Sequence, residues 1–164
     1  MVTTNASDDD DLPARYDARH APDPDAWLAM DESDRLIAVL LHHAENAPHA
    51  PAPSPDAHAV MHVAVETQIA LGTPPATAAT LRRLIAEGLS RHDAIHAVAG
   101  ALSGMLLEMS QRMVPFDPVA YERDLAQITA AGWLASAGDP PRGRAQGQVH
   151  PHRRHLQRRR HARR

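Results

Sequence analysis

The sequence predicts an all-α fold, a single small helical bundle of four to five helices with disordered ends. Three observations predict it. Apolar residues recur at three- and four-residue spacing through the middle of the 164-residue chain, which is the period of a helix face. Capping residues, prolines and glycines punctuate that pattern where helices would start and stop. The alternation of β-branched and polar residues that marks a strand is missing. A chain of this length suits one domain plus tails.

The elements follow in order. Residues 1–24 are polar, rich in Asp and Ala, and lack apolar periodicity, so they read as a disordered acidic arm. Asp31 is a good N-cap for a first helix. Leu36, Ile37, Leu40 and Leu41 repeat along one side of it and point inward, and Trp27 and Met30 just ahead pack back as an anchor. That helix fades near Asn46, and Pro48, Pro51, Pro53 and Pro55 make the next stretch a loop. A second helix has Ser54 as cap, Pro55 in its first turn and Gly72 as its stop after Leu71. A third is capped by Thr73, carries Pro74 and Pro75 in its first turn, packs through Leu81, Leu84 and Ile85, and ends at Gly88.

A fourth helix begins at Ser90, with Asp93 completing a near capping box. Ile95, Val98, Leu102, Met105, Leu106 and Met109 form its apolar face, and it ends before Pro115. A fifth has Asp117 as cap and Pro118 in its first turn, turns Tyr121, Leu125 and Ile128 inward, and stops at Gly132. Trp133 and Leu134 then cover the core. The helical domain so defined spans 25–135. Over 136–164, Gly138, Pro140, Pro141 and Gly143 break structure, and Arg, His and Gln follow with one leucine, Leu156. This segment reads as a disordered basic tail.

Composition excludes several function classes. Cysteine is absent, which removes disulfides, thiolate metal sites and cysteine nucleophiles. Asp8 to Asp11 stand where a signal peptide would need an apolar core, and no apolar run approaches the ~18 residues that span a bilayer. The expectation is a cytoplasmic protein with no membrane partner. Abundant alanine without lysine is the compositional mark of a GC-rich bacterial genome. The net charge of −3 hides an asymmetry, since all 20 acids precede Arg142 but only eight of the 17 basic residues do. An acidic body repels phosphates. Nucleic acid could therefore be met only through the tail, which has charge and no aromatic to stack on bases.

No GxGxxG, P-loop or GxSxG is present, and the spacing around Ser103 does not suit a nucleophile elbow. Met105, Met109 and Met113 form a helical stripe that serves as core filler or as a homo-oligomer contact. Gly100 and Gly104, four apart, invite close approach of another helix.

The chemistry lies in the histidines. His58, His62 and Glu66 form the run H-x3-H-x3-E, and His92 and His96 form a second pair in R-H-D-A-I-H. Residues four apart lie within roughly 40° of each other on a helix wheel, so each pair presents two imidazoles to one region, as helical HExxH motifs do when they grip zinc. On the second helix this stripe overlaps Val65 and Ile69, and Val60, Val63, Ala64 and Leu71 make the rest of the helix apolar, the pattern of a buried helix. Ionisable groups there need partners. Two readings stay open. His58, His62, Glu66, His92 and His96 can hold a transition metal such as zinc, iron or manganese, or they can form a structural His–Glu hydrogen-bond network. His42 and His43 are further ligand candidates, at the end of the first helix that faces the proline loop.

Residues His58 to Gln68 (H-A-V-M-H-V-A-V-E-T-Q), Arg91 to His96 (R-H-D-A-I-H), Gly72 to Pro75 and the Phe116 to Tyr121 region carry a resemblance. On these the chain resembles a bacterial family of small helical proteins, domain-of-unknown-function family 1841 and its relatives. The resemblance implies a helical fold and no assigned activity. It departs at Gly100 and Gly104, where the family tends to carry glutamates, which implies fewer carboxylate ligands here. The sequence thus points to a helical protein with a buried His/Glu cluster suited to holding a transition metal. The alternatives are a non-enzymatic interaction module with a structural network, and a nucleic-acid binder working through its tail.

Overall fold

The structure is a computed structural model and describes residues 15–46 and 54–137. These are all-helical. Among the described residues seven helices run in chain order as α1 (Pro24–Ala29), α2 (Glu32–Asn46), α3 (Pro55–Leu71), α4 (Pro75–Ala86), α5 (Arg91–Arg112), α6 (Pro118–Gln127) and α7 (Ala130–Ala137). The expectation of four to five helices was low at both ends. A short α1, held by the Asp23 side chain accepting from the Ala26 amide, precedes α2, and the expected fifth helix is broken in two.

The caps that the sequence advertised define α3 and α5. Ser54 accepts from the Ala57 amide at the start of α3, and Gly72 ends it with φ of 65°, a left-handed conformation that glycine adopts without penalty. Ser90 accepts from the Asp93 amide, and its hydroxyl donates to the Asp93 carboxylate at 2.7 Å. At α4 the cap position is Pro74 and not Thr73, and the Thr73–Pro74 peptide is cis. Asp117 accepts from the Val119 and Ala120 amides to start α6.

The break between α6 and α7 comes from α4. Arg83 donates to the carbonyls of Ile128 at 2.7 Å and Leu125 at 3.2 Å, and Glu87 accepts from the Ala130 amide at 2.8 Å. Arg83 of α4 and its C-cap residue Glu87 thereby satisfy the carbonyl end of α6 and the amide end of α7, groups that a helix terminus otherwise leaves open. Gly132, expected as a stop, lies inside α7.

Two apolar clusters build the core. One joins Val65 with Leu81, Leu84, Ile95, Val98, Leu102, Tyr121 and Leu125 from α4, α5 and α6. The other joins Tyr16, Trp27, Ala38 and Val39 with Ala59 and Val63. Helix α3 contributes to both and packs against α1, α2, α4 and α5. The expected inward face of α2 is borne out for Leu36 and Leu40, which pack partly buried against the second cluster, and corrected for Ile37 and Leu41, which are exposed, while Ala38, Val39 and His42 are buried. Val60, Leu71, Ile85, Leu106 and Leu134 are also exposed. Met105 is buried but Met113 is 89 % exposed, so the methionine stripe is not one continuous core face. Gly100 and Gly104 are exposed, and a Cβ built on either meets open space.

Tyr16 and Ala18, which composition assigned to the acidic arm, are buried in the second cluster. Residues 1–14, the proline loop over 47–53 and the basic tail from 138 lie outside the described residues, and with them the reading of tail-mediated nucleic-acid binding. No described helix is long and apolar enough to cross a membrane.

Candidate metal centre

Five histidines meet where α2, α3 and α5 come together. His43 comes from α2, His58 and His62 from α3, and His92 and His96 from α5, and one ring nitrogen of each lies within 4.8 Å of every other. Side chains four apart on α3 and on α5 share a face, and packing turns these two faces toward each other. Two of the approaches are His62 Nε2 to His96 Nε2 at 2.9 Å and His43 Nε2 to His92 Nε2 at 3.2 Å. Nitrogens held by one ion at about 2.0–2.1 Å stand roughly 3 Å apart at right angles and about 3.4 Å apart at the tetrahedral angle. These two spacings match neighbouring corners of a coordination shell.

The sequence expectation named His58, His62, Glu66, His92 and His96. The structure brings the four histidines together, adds His43, and leaves Glu66 out. Glu66 is 1 % exposed and is gripped by Arg91, with Nη1 to Oε1 at 2.8 Å and Nη2 to Oε2 at 2.7 Å. A buried carboxylate needs a matched charge, and the bidentate guanidinium supplies it. Burial works against the Arg91 charge, but the hydrogen bonds and charge of Glu66 outweigh it and raise its pKa.

Glu66 reaches the cluster indirectly. The Tyr16 hydroxyl donates to Glu66 Oε1 at 2.9 Å and lies 3.2 Å from His62 Nδ1. With its proton committed to the carboxylate, the Tyr16 oxygen accepts from His62 Nδ1–H. The chain Arg91–Glu66–Tyr16–His62 therefore places the proton of His62 on Nδ1 and leaves the Nε2 lone pair facing the other rings. Burial first, then the charge of Glu66, push the Tyr16 hydroxyl above the usual phenol range, so it stays a donor. His43 is fixed in the same sense, because its Nδ1 donates to the Val39 carbonyl at 2.8 Å and its Nε2 faces inward. Such outer partners are what orient metal-binding histidines elsewhere.

His62 has no exposed surface. Burial first, then His96, His43, His58 and His92 around it, hold its pKa well below the usual imidazole range. It is neutral at neutral pH, the form that ligates metals. His92 is also buried, and His43, His58 and His96 are half-buried, so the cluster reaches the surface on one side. Trp133 of α7 stands beside His96, with ring centroids 6.4 Å apart.

His42, weighed as a further ligand, does not join the group. Its Nε2 accepts from the Ala18 amide at 3.4 Å, and Arg91 also donates to the Ala18 carbonyl at 3.1 Å. These bonds dock the Tyr16 segment. Sequence reasoning missed the parts of Tyr16 and Arg91. Arg91 adjoins His92 in the R-H-D-A-I-H motif, and the signal was available: a glutamate on a buried helix requires a cation. Tyr16 carried no such signal in an otherwise polar stretch.

Fold and site together define a small helical bundle with a polyhistidine centre at a three-helix junction. The model of the family described as a domain of unknown function, DUF1841, matches residues 37–127, more than half of the chain, and the protein belongs to that family. The matched stretch contains all five histidines, Glu66 and Arg91, and excludes Tyr16 and Trp133. Neither a comparison with curated proteins nor one with solved structures finds a match.

Proposed function

We propose that this protein binds a divalent transition metal through His43, His58, His62, His92 and His96. The observation that carries the reading is the convergence of five ring nitrogens within 4.8 Å. The Nδ1 bonds of His62 and His43 support it, because they aim two Nε2 lone pairs inward before any ion arrives. Bringing five histidines together without an ion to share their lone pairs serves no packing need that apolar side chains would not meet better. Among the described residues the converging donors are all imidazole, a set that suits zinc, iron, nickel or copper better than manganese, which favours oxygen donors.

A second reading has one observation in its favour. The 2.9 and 3.2 Å contacts between Nε2 atoms are hydrogen-bond distances, so the rings can close on one another as a structural network within an interaction module. Elemental analysis of protein purified without a polyhistidine tag separates the two, together with melting in the presence and absence of a chelator. Metal at a hundred times its dissociation constant stabilises the fold by about 2.7 kcal/mol. The expected result is near-stoichiometric metal and a melting temperature that falls with chelator. His62→Ala and His96→Ala should each abolish the difference. Metal-free protein that is indifferent to added zinc, iron, nickel and copper would establish the structural network instead.

A further inference from the structure

We infer that two copies of this chain meet about a two-fold axis at the groove between the end of α5 and the start of α6. The groove holds about 580 Å³, with Met105, Val114 and Phe116 among its apolar lining and Glu108 and Arg123 among its charged lining. Beside it stands Met113, 89 % exposed, and Val119 in the first turn of α6 is 75 % exposed. Met113 caps α5 with φ of 53°, a left-handed conformation that usually falls to glycine. A side chain that strains its backbone and buries so little in its own chain finds its burial on another surface. Methionine, flexible and apolar, suits such a contact.

Two features identify that surface as a second copy. The first is shape. Knob and groove lie on one patch, so an axis that seats Met113 of one copy in the groove of the other makes the reverse contact as well. The second is charge. Asp117, which also lines the groove, is occupied in capping α6 through the Val119 and Ala120 amides, each at 3.0 Å. Glu108 and Arg123 are left, one of each sign. Glu108 pairs with Arg112 at 2.8 Å and Arg123 with Asp124 at 3.3 Å, exposed pairs that hold weakly. A two-fold axis exchanges the two sides of the groove, so Glu108 of each copy meets Arg123 of the other. A partner of single charge, such as the chain's own Arg-rich tail, satisfies Glu108 and opposes Arg123.

Sedimentation velocity of the full chain from about 1 µM to about 1 mM tests this. The expected result is a monomer–dimer equilibrium. Met113→Gly suits the left-handed backbone, so its melting temperature should hold or rise while its dissociation constant rises about tenfold or more. Glu108→Arg and Arg123→Glu each set like charges opposite one another across the axis, and each should dissociate the dimer. Mixed in equal amounts the two variants should associate again, because every cross pair then joins opposite signs. A wild type that stays monomeric over the whole range overturns the inference. So does a dimer that Met113→Gly and the single charge variants leave unchanged, since it forms elsewhere. A mixture no more associated than its components overturns the two-fold pairing.

Discussion

Replacing Tyr16 by Phe isolates one hydroxyl in the chain that sets the tautomer of His62. The hydroxyl donates to Glu66 Oε1 at 2.9 Å and accepts from His62 Nδ1 at 3.2 Å. The phenyl ring of the variant keeps the packing against Trp27, whose ring centroid is 5.8 Å away. What is lost is one acceptor for a buried imidazole N–H, at a cost of about 1–3 kcal/mol in stability. His62 is then free to carry its proton on either nitrogen, and half of its neutral forms no longer present a lone pair inward. Loss of an outer partner of this kind lowers metal affinity by about 10- to 100-fold, or roughly 1.4–2.7 kcal/mol of binding free energy.

The assay is competition for zinc against a chromophoric chelator, with urea unfolding of the metal-free protein alongside. Tyr121→Phe is the control, because its buried hydroxyl donates to Gln68 Oε1 at 3.0 Å and touches no ring of the cluster. It should cost similar stability and leave zinc affinity unchanged. If Tyr16→Phe weakens the fold but binds zinc like the wild type, the hydroxyl is only structural and the tautomer argument is wrong.

Further outcomes follow from the same network. Arg91→Met strands the buried Glu66 carboxylate and should cost about 3–5 kcal/mol in urea unfolding, whereas the double variant Glu66→Gln/Arg91→Met should recover much of it; equal losses in the single and double variants would show that the ion pair is not the source. The metal-free protein should lose stability as pH falls below about 6.5. His62 is held neutral in the fold by burial and by the four rings around it, while Tyr16 and the Glu66–Arg91 pair face its other edge. Its folded pKa is depressed, so the unfolded chain takes up the proton first. The stabilisation is full above the unfolded value and declines below it by about 1.4 kcal/mol per pH unit for this group alone. Melting scans in chelator from pH 8 to pH 5 check this, and a flat profile would mean that His62 titrates alike in both states.

Much of the site was legible because it rests on local rules. Ser54, Pro55, Gly72 and Ser90 mark the ends of α3 and α5, and spacing alone sets His58 with His62 and His92 with His96. What was hidden depends on which way a helix is rolled about its axis. Of the apolar stripe of α2, Leu36 and Leu40 pack against the core while Ile37 and Leu41 are exposed, and the helix turns Ala38, Val39 and His42 fully inward. That roll carries His43 into the centre. Small and polar residues concealed the true inner face, because periodicity weighs hydrophobicity and not fit. Glu66 was grouped with the histidines on spacing, but its carboxylate is gripped by Arg91 and lies outside the converging group. The end of α6 was missed for a related reason. The groups that end it belong to Arg83 and Glu87, some forty residues earlier, and no local pattern announces them.

The centre divides its parts between two stretches of chain. The stretch that matches the family, 37–127, brings every ring donor, while the residue that orients the most enclosed ring, Tyr16, comes from before it, and the indole beside His96 comes from after it. If the five histidines hold a metal as proposed, a variant that keeps them and changes these flanks would grip it in the same cage at a different strength, so that the sequence bordering the domain works as a tuning screw on a fixed vice.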